Sequence, residues 1–243
     1  TKLKPFRRPQ PYKELPMTAN LDSTNSYYRQ HRDTYPESFR LRIHRALSWL
    51  KAAAEAQRPS ENSEGLDFRF IALWIAFNAA YANEIDRHSM PTERSDFRQF
   101  LQTVCSLDKE RLLYKLVWQT YSGSIRTLLD NRYTFLPFWD FHNGKISEAA
   151  WQEDFARAKK KAHAALAAQD TDTVLAVLFD RLYTLRNQMV HGGATFGSSA
   201  NRRQLKDACH ILADLIPAVL HIMQQHPQRD WGRPFYPYVK DNG

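Results

Sequence analysis

A chain of 243 residues with 43% hydrophobic and 13% aromatic side chains has enough apolar surface for a real core in one large domain, with or without extensions. Only 8 glycines leave little for the turns of a β-rich chain or the phosphate loops of a dinucleotide fold, so abundant Ala, Leu, Arg and Gln point to an all-α chain. The formal net charge of +8 attracts polyanions, nucleic acid being the commonest, although the same excess also serves ordinary solubility.

The first 36 residues do not read as core. TKLKPFRRPQPYKELP is basic and proline-rich, which favours extended backbone. Residues 1–36 are therefore expected to form an irregular N-terminal arm. Such an arm either touches RNA phosphates or a partner or, the plainer reading, is strapped over the domain through Phe6 and Tyr12. Helical periodicity starts near Pro36, with Phe39, Ile43, Ala46, Leu47, Leu50 and Ala54 on one stripe, and ends at Pro59 and SENSEG. DFRFIALWIAFNAAYANEI is apolar almost all round and predicts a central, fully packed helix. Its Asn78 needs a buried partner, either a structural hydrogen bond or a site.

Phe97, Phe100, Leu101 and Val104 predict a short helix, and Leu112 through Leu128 a longer one. RYTFLPFWDFHNG interrupts the pattern as an aromatic loop at 133–143, with Pro137 and Asn143-Gly144 as turn signals. Its rings either plug a gap in the core or stack on bases. Trp151, Phe155, Ala158, Ala162 and Leu166 mark the next helix, with Lys159 to Lys161 on its solvated side.

QDTDTVLAVLFDRLYTLRNQMVHGG then predicts a helix with an N-cap at Asp170 or Thr171 and a stop at Gly192-Gly193. The last long helix carries Leu205, Cys209, Leu212, Leu215, Ile216, Val219, Ile222 and Met223. Residues 37–226 thus form the helical domain, and 227–243, with three prolines, a non-helical tail. Cys105 and Cys209 fall among apolar neighbours and read as buried thiols in a reducing, cytoplasmic setting. No run reaches the roughly 18 apolar residues of a membrane span, and the first residues hold no apolar signal core.

The chemistry concentrates in Arg186-Asn187-Gln188-Met189-Val190-His191, at the end of an amphipathic helix. Five residues at about 100° each set Arg186 and His191 roughly 140° apart, so they do not stack on one face. A long Arg side chain and a His in the last turn still allow both tips to reach one cleft. Arg stays protonated and forks onto phosphate oxygens. His titrates near neutrality and moves protons. Together they suit attack of a ribose 2′-hydroxyl on the adjacent phosphate, with no metal or cofactor required. On spacing alone, a capping His beside a surface Arg is the commoner arrangement. His210 and His221 are eleven apart on one helix and would need further ligands to hold a metal.

LRNQMVHGG, between two long amphipathic helices, resembles the signature of the HEPN superfamily (higher eukaryotes and prokaryotes nucleotide-binding), whose motif is Arg, a polar residue, three more residues and His. Arg186, Asn187 and His191 match those positions, and LWIAFNAAYANE is similar to the family's early core helix. The resemblance covers roughly residues 37–226. It implies an HEPN-like antiparallel helical bundle, with extra helices here, commonly a homodimer in which two motif helices meet across the two-fold. It further implies a metal-independent endoribonuclease with RNA as substrate, acting as a toxin or defence effector, with an antitoxin or regulatory protein as a further partner. Arg186 then stabilises the phosphate, His191 shuttles protons, and Asn187 orients a neighbour or contacts the substrate. The alternative within the family is a non-catalytic dimerisation or nucleotide- or RNA-binding module.

Overall fold

The computed structural model describes residues 19–56, 65–83, 93–199, 201–234 and 236–237, and among them the chain is all-α. The helices are α1 (Leu21–His31), α2 (Glu37–Glu55), α3 (Gly65–Tyr81), α4 (Glu93–Leu107), α5 (Leu112–Lys115), α6 (Ser122–Leu129), α7 (Leu136–His142), α8 (Glu148–Ala167), α9 (Thr171–Val190) and α10 (Arg202–Gln224). Extended backbone pairs at a single described place, an isolated bridge between Asn83 and Pro234. No helix among the described residues is long and apolar enough to cross a membrane.

The all-round apolar sequence of α3 puts it at the centre. Phe70, Leu73, Trp74, Ala76, Phe77, Ala80 and Tyr81 are all buried, against α2, α10, α9 and α4. Trp74, Phe77 and Phe179 form a ring cluster where α3 meets α9, with the Phe77 and Phe179 centroids 4.2 Å apart. Burial of whole aromatic side chains of this kind is worth about 2–3 kcal/mol each.

A helix enclosed in this way must also satisfy its terminal carbonyls without water. Arg42, 1% exposed, meets that need from α2. Its Nη1 donates to the carbonyls of Ala79, Ala80 and Ala82 at 3.4, 3.0 and 2.9 Å. Its Nη2 donates to Asn83 Oδ1 at 2.6 Å and to the Gly232 carbonyl at 3.2 Å. Burial lowers the guanidinium's pKa to about 10, which leaves it charged at neutral pH. Gly232 has φ of +72°, and a Cβ there would lie 2.3 Å from Asn83 Oδ1, so the C-terminal segment passes at glycine distance over the same clamp.

Four features depart from the sequence expectations. Residues 1–18 lie outside the described part, but the rest of the expected arm is folded. The helix α1 starts at a capping box in which Ser23 N–H donates to Asn20 Oδ1 (2.9 Å) and Asn20 N–H to Ser23 Oγ (3.1 Å). Thr24, Tyr28 and Tyr35 are buried, and buried bonds run from Thr24 Oγ1 to the Pro217 carbonyl and from Gln224 Nε2 to the Thr24 carbonyl. Too few apolar residues mark this segment for periodicity to show it, and hydrogen bonds to Pro217 and Gln224 join it to α10.

The helix expected over 112–128 is broken by a widened π-type stretch, Leu116–Thr120. The break lets Trp118 Nε1 donate to Thr171 Oγ1 (3.0 Å) and the Tyr121 hydroxyl to Asp214 (2.6 Å). The expected aromatic loop contains a short helix, α7, which carries Pro137 in its first turn. Asn78 Oδ1, expected to be bonded, is buried with no hydrogen-bond partner among the described residues. Cys209 is buried and Cys105 half-buried, and burial pushes both thiols up to about 12.

Replacing Arg42 by Met keeps apolar volume but leaves the α3 carbonyls without donors. The variant is expected to lose on the order of 3 kcal/mol in urea unfolding at neutral pH. A loss below about 1 kcal/mol would mean that water or other groups already satisfy this helix end.

Candidate functional site

The helix α9 is set at both ends by local chemistry. Asp170 caps its start, accepting from Thr173 N–H at 3.2 Å. Val174, Leu175, Leu178, Phe179, Leu182 and Leu185 bury one face. The end is a Schellman motif. Gly192, at φ +71°, donates its N–H to the Met189 carbonyl (3.2 Å), and Gly193 donates to the Gln188 carbonyl (2.7 Å). Gly193 also needs its bareness, since a Cβ would sit 3.0 Å from that carbonyl oxygen.

The motif residues occupy this end. Arg186 is half-buried; its Nη1 donates to Asn187 Oδ1 at 2.9 Å, and its guanidinium lies 5.9 Å from the Tyr183 ring centroid. Tyr183 in turn packs against Trp74 and Phe97, so the guanidinium rests on the edge of the core. His191 is the C-cap; its backbone N–H donates to the Asn187 carbonyl (3.0 Å), and its exposed imidazole makes no side-chain hydrogen bond among the described residues. The fold therefore joins Arg186 to Asn187 and leaves His191 open to solvent, one turn further on. Such a pair offers a held cation for a phosphate and an accessible proton-transfer group.

Gln188, within the motif but given no role by the sequence, is tied on both sides. Its Nε2 donates to the Tyr133 carbonyl at 2.6 Å, and its Oε1 accepts from Asn201 Nδ2 at 3.2 Å. The Tyr133 carbonyl also accepts from Trp139 Nε1 at 2.8 Å. One amide thus fixes the motif to the aromatic segment 55 residues away in sequence and to the loop that enters α10. No local signal distinguishes such a Gln from any other on a polar face.

The loop after α9 is anchored to α3. Arg202 donates from Nε to the Ser198 carbonyl (2.8 Å) and from Nη1 to Asp67 (2.7 Å). Asp67 and Arg202 are each 17% exposed, which makes this pair less screened than a surface ion pair. Beside the anchor, Phe196 (61% exposed) and Phe68 (65%) meet ring to ring at 5.2 Å, and Val190 is 52% exposed. His221 lies 3.6 Å from Glu110 rather than in a ligand cluster, and no group of three His, Cys, Asp or Glu side chains gathers among the described residues.

No protein-family model matches this chain, and neither a curated protein nor a solved structure is significantly similar to it.

Substituting Gln188 by Ala removes both ties at a cost of about 1–2 kcal/mol. Backbone hydrogen exchange should then quicken in residues 131–143 and 194–201 while α3 and α10 keep their protection. Unchanged exchange in both segments would show that this amide positions neither.

Proposed function

We propose that this protein is a metal-independent endoribonuclease of the HEPN type. The observation that carries the reading is the arrangement at the end of α9: a guanidinium steadied by Asn187 on the core's edge, and an exposed imidazole one turn beyond it. RNA is the substrate class that matches a 2′-hydroxyl nucleophile, a phosphate clamp and a proton-transfer group, and the net charge of +8 favours its approach.

In this reading the 2′-oxygen attacks the neighbouring phosphorus and loses its proton to one imidazole. The P–O bond to the 5′-oxygen breaks, and that oxygen takes a proton from a second, protonated imidazole. The products are a 2′,3′-cyclic phosphate and a 5′-hydroxyl. Arg186 compensates the charge that gathers on the equatorial oxygens. Asn187 keeps the guanidinium from rotating away.

One chain has a single motif His, so the second imidazole comes from a second copy across a two-fold axis. Three exposed apolar side chains near the motif, Val190, Phe196 and Phe68, support a self-complementary contact there, since clustered apolar exposure marks association surfaces. A toxin or defence role, restrained by an antitoxin or regulator, belongs to the same reading.

Incubation with a single-stranded RNA in EDTA tests it. Wild type is expected to cut, and Arg186→Ala and His191→Ala to lower the single-turnover rate by about 10²-fold or more without loss of helicity. Full activity in His191→Ala, or none in wild type, overturns the proposal. Phe196→Glu is expected to shift the protein toward monomer in analytical ultracentrifugation and to reduce cleavage with it.

A further inference from the structure

The segment between α6 and α8 encloses an open cleft of about 460 Å³ that the catalytic reading does not use. Its lining is aromatic, with Tyr133, Phe138, Trp139, Phe141, His142 and Trp151, and Arg132 beside them. Phe138 is the hub: Tyr133, Trp139 and Trp151 stand at 84–86° to its ring, with centroids 5.2–5.4 Å away. Phe138 and Trp151 are nearly buried and form the floor. Tyr133, 41% exposed, and half-buried Trp139 present ring surface to solvent.

Two polar side chains indicate what enters. Arg132 donates to the Tyr133 hydroxyl (3.0 Å), its guanidinium lies 5.0 and 5.6 Å from the Tyr133 and Phe138 ring centroids, and it has no carboxylate partner among the described residues. Glu148 also lines the cleft; it accepts from Gln152 Nε2 at 3.2 Å and keeps a second carboxylate oxygen that can accept from the exocyclic amine of a base. Ring surface for stacking, one carboxylate acceptor and one guanidinium without a carboxylate partner among the described residues match a flipped-out nucleobase with its phosphate beside Arg132. The cleft is also coupled to the motif, because the Tyr133 carbonyl is shared by Trp139 Nε1 and Gln188 Nε2.

We propose that this aromatic cleft takes one unpaired base of an RNA strand, stacked against Trp139 and Tyr133, while Arg132 holds the adjoining phosphate. The inference rests on RNA being the ligand, as the ribonuclease reading has it, and adds the preference for unpaired over paired strands.

The probe is a short, fully 2′-O-methylated single-stranded oligoribonucleotide, which cannot undergo 2′-hydroxyl attack, and the same strand with abasic sites. Binding to the full chain is followed by fluorescence anisotropy. Wild type is expected to bind the intact strand about tenfold more tightly than the abasic one. Trp139→Ala is expected to bring the two strands to equal, weak affinity, and Trp139→Phe, which keeps a ring, to retain most of the difference. Arg132→Ala is expected to weaken both strands by a similar factor. Equal affinity of wild type for the two strands, or an unchanged preference in Trp139→Ala, overturns the proposal. Cleavage of ordinary RNA decides the catalytic reading separately: base-dependent binding without cleavage keeps the cleft and removes the nuclease, whereas cleavage with an indifferent Trp139→Ala does the reverse.

Discussion

The structure depends on enclosing a helix that has no polar face. Once α3 is surrounded by α2, α4, α9 and α10, its last carbonyls are largely withdrawn from water. Arg42 supplies the donors and at the same time fixes Asn83 and Gly232 at that end of the domain. A charged residue is the economical solution, because one guanidinium reaches five acceptors in a fixed plane where neutral side chains would need several positions. Burying it is tolerable because both terminal nitrogens donate to oxygens, although Nε is buried without a partner among the described residues. The bundle's other end, where the chain loops from α9 to α10, is closed by the Asp67–Arg202 pair, so both ends of α3 are tied by arginines from other helices.

The candidate chemistry sits at the edge of this core rather than in it. Arg186 borrows rigidity from Tyr183 and Asn187, while His191 lies just past the last helical turn, where a glycine stop sharply ends the helix. The residues between them have different contacts, and Met189 packs against the core. Gln188 holds the aromatic segment, and Val190 faces solvent. A helix end used in this way couples three things at one place: a motif, an exposed apolar patch and a ring-lined cleft. That coupling gives a physical reason for the aromatic segment to fold as a short helix braced on α9 rather than as a free loop.

How far the sequence was legible follows from the range of the interactions. The helices α2, α3, α8, α9 and α10 were readable because apolar residues recur every three or four positions and because caps such as Asp170 and Gly192 act within a few residues. The helix α1 was not, since few of its residues are apolar and Thr24 is joined to α10 by hydrogen bonds with Pro217 and Gln224. The break at Leu116–Thr120 was hidden for a similar reason: its local pattern is that of an ordinary helix, and the pull on Trp118 and Tyr121 comes from Thr171 and Asp214, far along the chain.

By itself, then, the amino-acid order determined the helical class, most element positions and the placing of Arg186, Asn187 and His191 at one helix terminus, because periodicity and capping are interactions of near neighbours. Only the tertiary structure decided that Arg42 closes α3, that Asn78 Oδ1 stays without a described partner, that Gln188 meets Tyr133, and that the rings of 133–151 leave a cleft between them. Those contacts join residues tens of positions apart, and which distant groups meet is set by how the helices pack, not by any signal within a single one.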